Sequence, residues 1–320
     1  MTSRVLVVVQ ARTGSTRFPG KVLAEIGDRP MLELMLDRLA PLTQSGATVV
    51  VATTGLARDD AVAELATRSG TPVVRGDEAD VLARFTAALE AFPADDVVRL
   101  TADCPLIDPQ IVTDVIAAHH DTRADYTSNT LVRTFPDGLD VEVFRADVLR
   151  RAANEATDAT EREHVTPYVY RRPRTFGIAQ VTNPLALGNE RWTVDHREDL
   201  EIVRAAVASV DDPTRASWSE FLLVLGHRAP VSAHPVVATP GPLVTHTIGH
   251  PYERRWALTT GMGMPVGDAT VSVDDGIGTL RISLAEEQTH LHDPSAAAVR
   301  DWLAADLQVR RLVEPETETR

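Results

Sequence analysis

The chain has 320 residues, 43% of them hydrophobic and 24% charged, with a formal net charge of -14. That balance suits a soluble globular protein with a sizeable core, and it argues against broad nucleic-acid binding because there is no basic field to displace counterions. A single cysteine, Cys104, excludes an internal disulfide and a thiolate metal site.

In chain order, residues 4–9 (RVLVVV) are a continuous β-branched run, the pattern of a strand buried on both faces. The run is too short for a signal-peptide core, and no later stretch reaches membrane-spanning length, so the expected location is cytoplasmic. A loop follows, then an amphipathic helix from about Pro30 (MLELMLDRLAPL), with the proline in the first turn. ATVVVATT (47–54) reads as a strand, 58–69 as a helix, TPVV as a short strand, 78–91 as a helix and DDVVRL (95–100) as a strand. PQIVTDVIAAHH (109–120) reads as a helix capped by Asp108. This alternation predicts a parallel α/β sheet with ligands at the carboxyl ends of its strands. Further on, DVEVF is expected as a strand, 145–157 and 161–171 as helices, RWTV as a strand, and 196–227 as two helices.

Near Arg228 the texture changes. APVSAHPVVATPGPLV is proline-rich and reads as a linker over about 229–242. ATVSVDDGIGTLRISL reads as a hairpin around Asp-Gly, PSAAAVRDWLAADLQVRRL as a closing helix, and 314–320 as a disordered tail. The expected organisation is a main domain over 1–228 and a small α+β appendage over 229–320, serving oligomerisation or acceptor selection. His290-x-His292 in the appendage is weak as a metal signature, and surface histidines are the better reading of it.

Four clusters fall directly after predicted strands. The first, QARTGSTRFPGK (10–21), holds Arg12, Arg17 and Lys21 with no carboxylate, and Lys21 is the only lysine in the chain. Gly14 and Gly20 let backbone amides approach an anion, while the cations can neutralise several negative oxygens. The order is neither GxxxxGK[ST] nor GxGxxG. In RLTADCPLID (99–108), Asp103 suits a carboxylate holding Mg²⁺, although taken alone the pattern reads better as a turn cap. In RWTVDHREDL (191–200), Asp195 is open to three readings: helix N-cap, metal ligand, or both. In the fourth, Glu142 lies on a strand, while Glu161, Arg162, Glu163 and His164 open a helix. Arg162 and His164 at a helix start could grip an anionic or polyhydroxylated acceptor, or belong to a salt-bridged helix face.

QARTGSTRFPGK resembles the ARxxSTRLPGK loop of the CMP-KDO and CMP-sialate synthetase superfamily, and the chain is most similar to its SpsF-like cytidylyltransferases. The resemblance continues in family order through VATT (51–54), VRGDEADVLARF (74–85), ADCPLIDP (102–109), FPDGLDVEVF (135–144), EREHVTPY (161–168) and RWTVDHREDL. It implies a Rossmann-like, GT-A-like nucleotidyltransferase fold with a mixed sheet flanked by helices. CTP is then the donor, Mg²⁺ the cofactor and a homodimer the usual state. The implied reaction moves CMP to a hydroxyl or acid group of a sugar acid or related acceptor, with release of pyrophosphate, in polysaccharide or natural-product biosynthesis.

Carried onto this chain, the resemblance implies that Arg12, Ser15, Arg17 and Lys21 bind the triphosphate beside Gly14, with Arg12, Arg17 and Lys21 catalytic. Asp103 and Asp195 would be metal ligands. Gln10, Ala11, Thr53, Arg75 and Gly76 would surround the cytosine and ribose, and Glu142, Arg162 and His164 would face the acceptor. Ala102 departs from the pattern, since many relatives have glycine there. Two rival readings are a metal-dependent GT-A glycosyltransferase, with Asp140-Val-Glu142 as its DxD-like motif, and a non-catalytic nucleotide-binding protein.

Overall fold

The computed structural model describes residues 3–183, 187–225, 236–240, 252–260, 265–274, 277–284 and 311–313. The first strand, β1 (Val5–Gln10), is followed by a loop and a short ribbon, β2 (Glu25–Ile26) and β3 (Arg29–Pro30). Next come α1 (Met31–Arg38), α2 (Ala40–Gln44), β4 (Thr48–Thr54), α3 (Asp60–Arg68), β5 (Val73–Gly76), α4 (Val81–Ala91), β6 (Asp96–Thr101) and α5 (Pro109–Thr122). Beyond these lie β7 (Tyr126–Ser128), β8 (Glu142–Arg145), α6 (Ala146–Glu155), α7 (Ala159–His164), α8 (Pro167–Tyr170), β9 (Ile178–Thr182), α9 (Arg197–Ala208) and α10 (Trp218–Val224). The last described elements are β10 (Val236–Pro240), β11 (Tyr252–Thr260), β12 (Pro265–Asp274), β13 (Ile277–Leu284) and β14 (Arg311–Val313).

Along the main sheet the order is β14-β13-β12-β11-β10-β9-β7-β8-β6-β1-β4-β5. Strands β5, β4, β1 and β6 run parallel, whereas β8 is antiparallel to both β6 and β7, so the sheet is mixed. The β-branched run of β1 has a simple cause. Leu6 and Val8 face one core with Val81 and Phe85 of α4 and Val148 and Leu149 of α6. Val7 and Val9 face the other core with Leu32 of α1, Val112 of α5 and Val203 of α9. Helices therefore cover both faces, and the open ground is left at the carboxyl ends of the strands.

Most expected elements are present, with shifts at their ends. The first helix begins at Met31, with Pro30 as its cap, and it breaks at Leu39 into α1 and α2. Asp108 caps α5 by accepting the Gln110 N–H at 2.7 Å. RWTV is not a strand: it makes only an isolated bridge, Asp137 with Arg191. It is instead held as a loop, because Asp137 O accepts the N–H of Trp192 (2.6 Å) and of Thr193 (2.9 Å). Gly138 makes this possible, since it has φ 119° and a Cβ there would stand 2.6 Å from Thr193 N. Strands β7 and β9, both short, have no counterpart among the expected elements.

In the C-terminal part, the hairpin over 269–284 is present as β12 paired antiparallel with β13. The expected closing helix ends instead in β14, parallel to β13, and its remaining positions lie outside the described residues, as do His290, His292 and 314–320. Within the expected linker, 236–240 forms β10, which pairs antiparallel with β9 and so continues the main sheet.

Candidate active site

Between β1 and Lys21 the chain folds into a compact basic loop. Gly20 and Ser15 both donate to Thr13 O, at 2.9 and 2.8 Å, and Gly20 takes a left-handed φ of 72° that favours glycine. Phe18, 6% exposed, anchors the loop in the core, and Arg197 lies over its ring at 5.0 Å. A short 3-10 turn over Lys21–Leu23 then delivers Lys21 inward.

Lys21 is 7% exposed, and its Nζ donates to Asp103 Oδ2 and to Asp195 Oδ1, both at 2.9 Å. Burial alone would push its pKa down, but the two carboxylates outweigh that and hold it above the ordinary lysine value. Asp103 stands just past β6, and Asp195 just before α9. Their segments are strapped together where Asp103 O accepts the Val194 N–H at 2.8 Å and the Thr193 hydroxyl at 3.2 Å. Asp195 also receives Arg17 at 3.0 Å and Arg191 at 2.7 Å. Burial raises its pKa, but these cations prevail and hold it below the usual carboxylate range. Of the three readings open for Asp195, the helix cap is set aside: His196 is the cap residue of α9, and Asp199 accepts the N–H of both Asp195 and His196 at 2.8 Å.

Arg12 faces Glu78 at 3.8 Å and Glu163 at 3.7 Å. Gly14 lies under the Glu78–Arg58 ion pair, and a Cβ there would fall 2.9 Å from Glu78 Oε1. At the strand ends beside the loop, Gln10 Oε1 and Thr53 Oγ1 are buried with no hydrogen-bond partner, and Ala11 is 1% exposed. Arg75 turns toward α3, donating to the carbonyls of Thr54 and Leu56 at 2.9 Å each and pairing with Asp60 at 2.7 Å. Ser15 accepts the Phe18 N–H at 3.3 Å.

The acceptor candidates are spread more widely. Glu142, 6% exposed, is the hub of a buried network, accepting from Tyr126 OH (2.7 Å), Thr166 Oγ1 (2.6 Å) and Arg99. Arg162 is tied to Asp80 at 2.6 Å and to the carbonyls of Ala153 and Ala156. Arg162 and His164 do not open a helix, as expected; they close α7, which is capped at its start by Asp158. Cations in a last turn complement the helix dipole. Of this set, His164 is exposed. Asp140 and Glu142 do not converge as a DxD pair would, because Asp140 is forked onto Arg133 at 2.9 and 3.0 Å.

Two residues at the site escaped the sequence reading. Asp59, fully buried, accepts the N–H and hydroxyl of Thr13 at 2.7 Å each and the Thr54 hydroxyl, tying the basic loop to β4. Burial raises its pKa, but the bonds from Thr54 and Thr13 prevail and hold it below the usual range. Arg84, also fully buried, lies on the sheet-facing side of α4 among Val81, Phe85 and Ala88. A charged residue at core spacing in an apolar helix was the available signal.

Residues 6–206 match the model of the cytidylyltransferase family. The chain belongs to that family. It is 32% identical over 227 residues to the spore coat polysaccharide biosynthesis protein SpsF of Bacillus subtilis, covering 69% of this chain and 93% of that protein. A 3-deoxy-manno-octulosonate cytidylyltransferase of Solibacter usitatus is 29% identical over 225 residues, covering 64% of this chain and 83% of that one. The solved structure of a cytidylyltransferase from Leptospira borgpetersenii superposes with a TM-score of 0.66 at 32% identity, covering 70% of this chain and 94% of that one. This cytidylyltransferase is therefore a nucleotidyltransferase by family, which sets aside the glycosyltransferase and non-catalytic readings. Among the described residues, no helix is long and apolar enough to cross a membrane.

Proposed function

We propose that this cytidylyltransferase transfers CMP from CTP to a hydroxyl or acid group of a sugar acid or related acceptor, releasing pyrophosphate, in polysaccharide or natural-product biosynthesis. The observation that carries the reading is Lys21 between Asp103 and Asp195, at the mouth of a loop that also presents Arg12 and Arg17. Cations on one side and carboxylates on the other suit a triphosphate whose leaving group must be neutralised.

The acceptor hydroxyl attacks the α-phosphorus in line; a new P–O bond forms and the bond to pyrophosphate breaks. Little covalent work falls to the protein, so positioning and charge stabilisation dominate. Arg12, Arg17 and Lys21 neutralise the phosphate oxygens, and Ser15 and the glycine-bearing backbone orient them. Gln10, Ala11, Thr53 and Gly76 surround the base and ribose, with Arg75 bracing that wall through the Thr54 and Leu56 carbonyls. Glu142, Arg162 and His164 shape the acceptor side, with His164 available for contact and Glu142 and Arg162 holding the walls.

The donor set fits Mg²⁺: Asp103 and Asp195 offer hard carboxylate oxygens that both stand 2.9 Å from Lys21 Nζ, and among the described residues Asp103 Oδ1 meets only the Cys104 thiol, at 3.7 Å. When bound there, Mg²⁺ supplies further neutralisation of phosphate charge and acidifies an adjacent hydroxyl.

The core unit is assigned to residues 1–228, with 229–320 as an appendage that extends the sheet from β9. A homodimer in the cytoplasm, with no nucleic-acid or membrane partner, completes the reading. It is tested by incubating the full chain with CTP, Mg²⁺ and a panel of sugar acids, phosphonates and polyol phosphates, reading pyrophosphate. Pyrophosphate release that depends on one acceptor class is expected; none with any acceptor would overturn it.

A further inference from the structure

All three cations of the first loop are engaged by carboxylates. For Lys21 and Arg17 the partners are Asp103 and Asp195, which double as the metal donors proposed above. Arg12 is different. Its two terminal nitrogens each face a carboxylate outside the metal site: Nη1 stands 3.8 Å from Glu78 and Nη2 3.7 Å from Glu163. Both contacts are longer than a hydrogen bond, so they set charge against charge and leave the N–H donors of Arg12 open. Two carboxylates beside a phosphate-binding arginine repel an incoming triphosphate, so grip on the nucleotide does not account for them.

The two carboxylates sit on one braced frame. Asp80 caps α4 by accepting the Ala83 N–H at 2.9 Å and also binds Arg162 Nη2 at 2.6 Å, joining the loop of Glu78 to the helix of Glu163. Asp77 steadies the same loop by accepting the Ala79 and Asp80 N–H groups at 2.8 and 2.9 Å. Arg162 is fixed in turn to the carbonyls of Ala153 and Ala156. The frame therefore stays in place while the Arg12 side chain turns toward a ligand. Glu78 is also paired with Arg58, whereas among the described residues Glu163 has Arg12 as its one ion-pair partner.

We propose that Glu163 is a release residue: it competes with the β- and γ-phosphates for Arg12, and takes the guanidinium back as pyrophosphate departs. Before nucleotide binds, Arg12 rests between Glu78 and Glu163. The triphosphate draws it away, and no covalent bond changes in the exchange. After transfer, Arg12, Arg17 and Lys21 all hold pyrophosphate, and a product gripped by three cations leaves slowly. A carboxylate waiting on a fixed frame weakens that grip at the end of the cycle. Glu163 thus acts on the reaction through Arg12, and the inference rests on the reading of Arg12 as a phosphate ligand of CTP.

The test is calorimetric titration of the full-length wild type and Glu163→Gln with inorganic pyrophosphate, CTP and CMP, each with Mg²⁺. Removing an exposed ion pair that competes for the same arginine should tighten pyrophosphate and CTP about two- to five-fold. CMP, which lacks the β- and γ-phosphates, should bind as before. In stopped flow, pyrophosphate release should slow by the factor its affinity gains. Glu163 is half exposed at the end of α7, so the fold should survive, and Glu163→Ala should show the same gain. A pyrophosphate affinity that is unchanged or lower in both variants would overturn the inference, as would an equal gain for CMP. Repeating the titrations in an Arg12→Gln background, by displacement where binding is weak, isolates the pair. The gain should vanish there; its persistence would overturn the inference, since the charge would then act on the ligand without Arg12. A wild type that binds neither CTP nor pyrophosphate would overturn the donor reading together with this one.

Discussion

Asp59 accepts two hydrogen bonds from the single residue Thr13, one from its N–H and one from its hydroxyl, each 2.7 Å long. The contact spans the first loop and the turn after β4, so a fully buried carboxylate fixes the ground on which Arg12 and Gly14 stand. Replacing it with alanine strands the Thr13 N–H, at a cost of about 1–3 kcal/mol, and lets the loop move. We expect Asp59→Ala to lower kcat/KM for CTP by about 10-fold or more. Amide hydrogen exchange over residues 11–20 should quicken, because the loop has lost its tie. Unchanged exchange and kinetics would show that the loop holds its shape without Asp59.

Removing Lys21 should nearly stop turnover. Its ammonium neutralises Asp103 and Asp195 before nucleotide arrives, and in the proposed reaction it meets the phosphates. We expect Lys21→Ala to lower kcat by about 100-fold or more. Asp195 keeps Arg17 and Arg191, so the fold should survive, as near-native circular dichroism would check. Turnover within a few-fold of wild type would remove Lys21 from the site.

Asp103→Asn keeps the side-chain shape and removes one charge from the pair that faces Lys21. Magnesium titrations of activity should then need far more metal, or give no rescue at all, since a neutral amide is a poor ligand for Mg²⁺. An identical magnesium dependence in the variant would exclude Asp103 as a ligand.

How much of this was readable beforehand depended on distance along the chain. β1 announced itself because both its faces are buried, and the basic loop because charge of one sign clustered within a dozen residues. The pairing of Lys21 with Asp195 spans 174 positions and leaves no local trace; their places after predicted strands and the family resemblance put them in one site. RWTV had the composition of a strand, yet tertiary hydrogen bonds from Trp192 and Thr193 to Asp137 held it as a loop. Arg162 and His164 were assigned to the wrong end of their helix because Asp158, the cap, lies farther upstream than the EREH motif suggests. Asp59 went unnoticed because a buried charge is defined by its partners, which the sequence does not display; Arg84 was signalled only by its core spacing among Val81, Phe85 and Ala88.

The opposite end of β6 gives a pH prediction. Asp96, 6% exposed, meets Ser3 Oγ at 2.5 Å and ring nitrogens of His120 and His119 at 2.8 and 3.4 Å. Burial raises its pKa, but the bonds from His119, Ser3 and His120 outweigh that and hold it far below an ordinary carboxylate. A depressed folded-state pKa contributes stability that is present above the unfolded value of 3.8 and lost as pH falls from there toward the folded pKa. Wild type should therefore lose on the order of 1 kcal/mol or more relative to Asp96→Asn between pH 5 and pH 2, on the scale of single-carboxylate linkage. Parallel acid limbs for the two proteins in urea unfolding would contradict this.

Val165, with Arg123, is one of two described non-glycine residues with a positive φ. Its φ of 71° and ψ of −58° form a positive-φ γ-turn, closed by the Thr166 N–H donating to His164 O at 2.8 Å, in a β-branched residue that is 1% exposed. The turn is held from outside, since the next residue, Thr166, is bonded to Glu142 in the Tyr126–Arg99 network. Strain of this kind costs about 1–3 kcal/mol, and a comparison of two truncations isolates it. Val165→Ala loses the methyl contacts but keeps the penalty for positive φ, whereas Val165→Gly loses similar contacts and escapes the penalty. We therefore expect Val165→Gly to be more stable than Val165→Ala by about 1 kcal/mol or more, the reverse of the usual order for these residues. If the turn is there to aim His164, the glycine variant should also show a raised KM for the acceptor with CTP affinity unchanged. Alanine proving the more stable of the two in thermal unfolding would mean that the turn stores no such strain.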